Sequence, residues 1–154
     1  MGQTNFSGPV LSGDLQQGET NGPNQGFCRL SQFVTLKQNS TNAVSATMYI
    51  PAGSAISSFD IDILTAFDSA SSATLSIGTS AGATTYVGSI NAKTAGRASI
   101  TYTAAQLAAM SNQTVTGTAS LTPAPVVVTI TVVGATTAGY VNVTMNYVQL
   151  TSSN

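Results

Sequence analysis

The chain has no histidine, no tryptophan and one cysteine, and among its 154 residues only four are Lys or Arg and five are Asp or Glu. Each shortage excludes something. Catalysis and metal binding near neutral pH draw mostly on His, carboxylates, Lys and Cys, so the composition predicts that this is not an enzyme. The single Cys28 rules out an intrachain disulfide. With no His to activate it, Cys28 reads as a small buried hydrophobe rather than a nucleophile. A formal net charge of −1 supplies no basic field for nucleic acid and no polybasic patch for anionic lipid. No apolar run approaches the roughly 20 residues of a membrane helix. The opening Met1-Gly2-Gln3-Thr4-Asn5 shows neither the basic nor the apolar region of a signal peptide, and Ser7 falls one place too late for a myristoylation signal. Asn-x-Ser/Thr triplets at Asn5, Asn39, Asn112 and Asn142 are then by-products of a Ser/Thr-rich composition.

Against these shortages stands an ordinary 42% of hydrophobic residues, enough in a chain of this length for one domain with a real core. Charged residues make up 6%, against about 25% in typical globular domains. A surface with so little charge has little self-repulsion to keep molecules apart, which predicts a chain packed against copies of itself or against partners.

Three regions are expected: an extended arm over residues 1–26, a β-sandwich domain over 27–150 and a polar tail over 151–154. From Ser12 to Gly26, Leu15 is the lone large apolar residue, too few to fold alone. The arm is expected to be anchored on a partner through Phe6, Val10, Leu11 and Leu15.

From Phe27 onward the pattern has period two, the mark of half-buried strands. Leu30, Gln32, Val34 and Leu36 share one face of a first strand, and Val44, Ala46, Met48 and Ile50 one face of a second, which Pro51-Ala52-Gly53 breaks. Phe59, Ile61, Ile63, Thr65 and Phe67 line a third, with Asp60 and Asp62 on its wet side. Further strands are expected at Ala73–Ile77, Tyr86–Ile90, Arg97–Tyr102, Val115–Leu121, Val126–Val133 and Val141–Tyr147. The run at Val126–Val133 is apolar on both sides and should be central. A single short helix is expected over about 104–110. Thr103 is its N-cap, Gln106 completes a capping box, and Tyr102 and Leu107 stand where a hydrophobic staple would be. Eight or nine short strands with turn signals between them describe an all-β antiparallel sandwich, jelly-roll-like, with an up-and-down barrel as the other possibility.

Chemical motifs are sparse. Asp60, Asp62 and Asp68 are spaced so that they could share a Ca²⁺, but no EF-hand-type loop surrounds them. A solvated sheet face and a turn aspartate is the plainer reading. Gly78-Thr79-Ser80-Ala81-Gly82 lacks the Lys-Ser/Thr ending of a phosphate loop and reads as a sheet corner. No Gly-x-Ser-x-Gly elbow is present. A carbohydrate-binding jelly roll remains open, without the exposed Trp that often marks one. No cofactor is expected.

The segment Tyr49-Ile50-Pro51-Ala52-Gly53-Ser54-Ala55-Ile56, followed by Thr65-Ala66-Phe67-Asp68-Ser69, Ala73-Thr74-Leu75-Ser76-Ile77-Gly78-Thr79, Ala95-Gly96-Arg97 and Thr101-Tyr102-Thr103, resembles small virion structural proteins of tailed bacteriophages, including capsid decoration (cement) proteins. The resemblance spans roughly Pro51 to Met110, with a looser echo from Gly139 to Val148. It implies a β-sandwich without enzymatic activity that binds the major capsid protein on the outer surface of the head, commonly as a homotrimer, after synthesis in the host bacterial cytoplasm. A tail, neck or fibre-associated position is equally compatible with it.

Overall fold

The structure is a computed structural model and describes residues 28–38, 40, 42–51, 54–111 and 123–149. The arm residues Phe6, Val10, Leu11 and Leu15, the expected strand Val115–Leu121 and the tail 151–154 lie outside the described residues, as does the side chain of Cys28.

Eight strands are described: β1 (Cys28–Lys37), β2 (Val44–Ile50), β3 (Ser54–Thr65), β4 (Ser72–Gly78), β5 (Val87–Asn91), β6 (Gly96–Arg97), β7 (Ala124–Val133) and β8 (Tyr140–Gln149), with helix α1 (Ala104–Ser111) between β6 and β7. They form two four-stranded sheets, β1-β8-β3-β6 and β2-β7-β4-β5, in which every pairing is antiparallel. Successive strands mostly alternate between sheets, and the last two insert into the middle of each. That is the strand order of an eight-stranded jelly roll, two Greek keys folded over one core. It agrees with the sandwich expected from the alternation and excludes the up-and-down barrel.

The core is the sum of the inward faces. Leu36, Met48, Ile50, Phe59, Ile61, Ile63, Leu75, Ile77, Val126, Val128, Ile130, Val141, Val143 and Met145 are all buried between the sheets. β7 is central in its sheet, as its two-sided apolar run predicts. Pro125 pairs with Tyr49 near the start of the strand, a position where a missing N–H is tolerated.

Three expectations about strands need correction. β3 begins at Ser54, before Phe59, because a register shift between Ile56 and Ser58 flips the alternation. Such a bulge leaves one residue unpaired and reverses which face the following side chains take. Thr65 and Phe67 are not part of the buried strand face. Thr65 is exposed after a second register shift, and Phe67 lies beyond the strand, buried by a turn in which its N–H bonds to the Ala92 carbonyl. β6 spans two residues rather than Arg97–Tyr102. Beyond Arg97, the Ala98 N–H still bonds to Ile61 O, and the Tyr102 hydroxyl takes the Phe59 N–H at 3.1 Å. A side chain there does the work of a ladder partner.

The helix carries the expected capping box. Thr103 N–H donates to Gln106 Oε1 at 2.9 Å, and Gln106 N–H to Thr103 Oγ1 at 3.2 Å. Its buried residue is Met110, whereas Leu107 remains half exposed. Gln106 also donates from Nε2 to the Thr84 carbonyl in the β4–β5 connection.

The end of the sandwich formed by the β1–β2, β3–β4, β5–β6 and β7–β8 connections is held by polar pins. Gln38, buried, donates from Nε2 to Ser40 O at 2.7 Å and to Asn42 O. Its N–H bonds to Gly139 O. Gly139 is needed there for room, because a Cβ would lie 2.2 Å from the Phe67 ring.

Candidate functional site: two unlike outer faces

The three aspartates proposed as a cation site are each engaged by protein groups, and the structure does not bring them to one point. Asp60 accepts from Asn146 Nδ2 at 2.8 Å. Asp62 is held two-pronged by Arg97, at 2.7 Å from Nε and 2.9 Å from Nη2. The hydrogen bonds from this guanidinium lower the Asp62 pKa, and the Asp62 carboxylate in turn raises that of Arg97. Asp68 lies in the β3–β4 connection and accepts from the Thr137 hydroxyl, from Thr137 N–H at 2.8 Å and from Ala138 N–H at 3.1 Å. Hydrogen bonds from the Thr137 hydroxyl and these two amides pull its pKa down to about 2. Among the described residues no group of three His, Cys, Asp or Glu could hold a metal ion.

The arrangement that stands out is a difference between the sheets' outer faces. On sheet β1-β8-β3-β6, the outward positions are Arg29, Ser31, Phe33, Thr35 and Lys37 of β1, Tyr140, Asn142, Thr144, Asn146 and Val148 of β8, Asp60, Asp62 and the exposed Leu64 of β3, and Arg97 of β6. Alternation puts every second residue outward, and the registers set these side chains in rows. The rows are cross-linked by hydrogen bonds: Ser31 Oγ to Asn146 Oδ1 at 2.7 Å, Thr35 Oγ1 to Asn142 Oδ1 at 2.7 Å, Asn146 Nδ2 to Ser58 Oγ at 3.1 Å, and Arg29 Nη2 to Ser57 Oγ at 3.2 Å. Asn142, one of the four Asn-x-Ser/Thr positions, is thus committed to this network.

On sheet β2-β7-β4-β5, the outward positions are Ser45, Thr47 and Tyr49 of β2, Pro125, Val127, Thr129, Thr131 and Val133 of β7, Ser72, Thr74, Ser76 and Gly78 of β4, and Ser89 and Asn91 of β5. None of them is charged. Tyr49 is 56% exposed and Val133 54%. One stretch of this face is sealed by the β4–β5 connection. There Gly82 N–H donates to Thr129 Oγ1 at 3.0 Å, and Thr129 Oγ1 also shares a hydrogen bond with Ser45 Oγ at 2.9 Å. A Cβ on Gly78 would come within 2.6 Å of Ala83, so the connection lies directly on the strand. Thr129 and Ser76 are buried although they point outward.

Sequence reasoning did not single out this uncharged face. Its signal was in the sequence: all described charges fall on β1, β3, β6 and the adjoining connections. Reading it required knowing which strands share a sheet. No helix of the described residues is long and apolar enough to cross a membrane.

No protein family model matches the sequence, and no curated protein matches it. Among solved structures, the chain is similar to one described as the cyanophage Pam1 capsid asymmetric unit, with 15% identity, a TM-score of 0.48, and coverage of 92% of this chain and 99% of that one. A likeness of that degree is too slight to assign a function.

Proposed function

We propose that the protein is a structural component of a bacteriophage virion: a decoration protein that sits on the outer surface of the assembled head, against the major capsid protein, as a homotrimer. The observation that carries the reading is the uncharged outer face of β2-β7-β4-β5. The centres of protein interfaces are depleted of charge and favour aromatic residues such as Tyr, because a charge buried without a partner costs several kcal/mol. A sheet of Ser, Thr, Val, Pro and Tyr side chains can be covered without that cost. The cross-linked, charged face of β1-β8-β3-β6 is suited to remain in water. The resemblance of the Pro51–Met110 segment to small virion structural proteins of tailed phages, capsid decoration proteins among them, points to the kind of partner. The role requires no catalysis.

The test is binding of purified protein to undecorated heads of the parent phage, with its position on the particle located by electron microscopy. Saturable binding to the head surface is expected. Protein found on the tail, neck or fibres would overturn the decoration role, and a chain that binds no part of the particle would overturn the virion reading.

A further inference from the structure

The β4–β5 connection, residues 79–86, folds back over its own sheet. The Tyr86 N–H bonds to Ile77 O at 3.0 Å and closes its base. The Ala83 N–H bonds to Ser80 O at 3.1 Å, a turn whose third residue, Gly82, has the positive φ of 77° that favours glycine. From this crest the connection reaches past β4 to β7, where Gly82 N–H meets Thr129 Oγ1 at 3.0 Å. Thr129 stands opposite Ser45 on one side and Ser76 on the other, so three hydroxyls form a row across β2, β7 and β4. The connection covers that row. Ser76 and Thr129 are buried, while Thr79, Ser80, Ala81, Gly82 and Thr84 of the cover are exposed.

Its other end is held from the helix. Gln106 Nε2 donates to Thr84 O at 3.3 Å, while Oε1 of the same side chain accepts the Thr103 N–H at 2.9 Å and closes the capping box. One side chain thus serves both the first turn of α1 and the cover of the outer face. From Thr79 to Thr85 the connection has no apolar side chain larger than alanine. A segment that buries so little apolar surface, and is fastened through two side chains, belongs to the low-stability end of a fold and opens locally while the rest stays folded. We propose that residues 79–85 are a strap that opens and closes as one unit, latched at Gln106 and at Thr129. Closed, the strap hides the row of Thr129 and Ser76 and presents small uncharged residues. Open, it presents the hydroxyls of Ser45, Thr129 and Ser76 in line to a hydrogen-bonding partner. Gln106 is a positioning residue in this device and acts through Thr84. The assignment rests on bonds within the chain and stands whether or not the protein belongs to a virion.

Hydrogen exchange of the Gly82 and Ala83 amides in the full-length protein reads the strap directly. Gln106→Glu keeps a side-chain oxygen for the Thr103 N–H, as a capping box requires, and removes the donor to Thr84 O. Both strap amides should then exchange about three- to tenfold faster, the factor that one net hydrogen bond is worth, although neither is bonded to Gln106. The Leu107 amide, bonded to Thr103 O, should exchange no faster. Thr129→Val should speed the Ala83 amide by a similar factor, and Thr129→Ser, which keeps the hydroxyl, should leave it near the wild-type rate. Unchanged exchange at Ala83 in Gln106→Glu or in Thr129→Val would remove a latch. Faster exchange shared with Leu107 in Gln106→Glu would assign the effect to the helix. In that variant, a change at Gly82 without one at Ala83 would break the single unit. Each of these results overturns the proposal.

Discussion

The two outer faces are built on the same scaffold and differ in almost everything but geometry. Both belong to four-stranded antiparallel sheets, and both cover the same core. One carries Arg29, Lys37, Arg97, Asp60 and Asp62, with Arg97 paired to Asp62, Asn146 bonded to Ser31 and Asp60, and Asn142 to Thr35. The other carries no charge, and its Thr129 hydroxyl bonds both to Ser45 and to Gly82 of the covering connection. The core demands apolar residues at inward positions and leaves the outward ones free. Which outward face receives the few available charges is therefore not a folding requirement. The difference teaches where water is expected to stay and where it is expected to leave.

The comparison can be broken most severely by moving charge from one face to the other. Thr47→Glu combined with Thr131→Glu should leave the far-ultraviolet circular dichroism unchanged and weaken head binding by about 100-fold or more, since about 2.8 kcal/mol corresponds to that factor. Thr35→Glu on the charged face should change binding by less than about threefold. Equal losses from both would erase the distinction between the faces.

The shared core should not distinguish them. Ile130→Ala under the uncharged face and Ile61→Ala under the charged one should each cost about 2–5 kcal/mol in denaturant unfolding, with both residues fully buried. A smaller effect comes from the cover on the uncharged face. Thr129→Val removes the acceptor of Gly82 N–H and should cost about 1–3 kcal/mol, as an unpaired buried amide does. It should also raise hydrogen exchange over residues 79–85.

The end pins respond to acid. The Asp68 pKa lies at about 2, below its ordinary value of 3.8. A carboxylate with a depressed folded pKa stabilises the fold above its unfolded value, and that contribution is lost as pH falls toward the folded one. Asp68→Asn should therefore lower the melting temperature at pH 7, and the gap to the wild type should close between about pH 4 and pH 2. The smallest effect is expected at Arg97→Ala, because exposed ion pairs contribute little: thermal unfolding should barely change.

Much of this architecture was legible in the residues. The alternation from Val141 to Tyr147 places β8, the Thr103–Gln106 pair fixes the start of the helix, and the two-sided apolar run of β7 marks it as central. The bulge after Ile56 was not legible, because Ser57 and Ser58 look like any polar interruption and only pairing with β8 shows the slip. Nor was the shortness of β6, where the Tyr102 hydroxyl replaces a strand partner. The uncharged face escaped notice for a related reason. Ser, Thr and Val at alternate positions are unremarkable in any one strand. They become a surface only when β2, β7, β4 and β5 are set side by side, and that adjacency is made by contacts between residues far apart in sequence.

The most direct measurement is an electron cryo-microscopy reconstruction of undecorated heads incubated with the protein, at a resolution that orients the sandwich. The account predicts that the face bearing Thr47, Tyr49, Val127 and Thr131 lies against the shell and that Arg29, Phe33 and Lys37 lie away from it. The face of Asp60, Asp62 and Arg97 seated on the shell would contradict it.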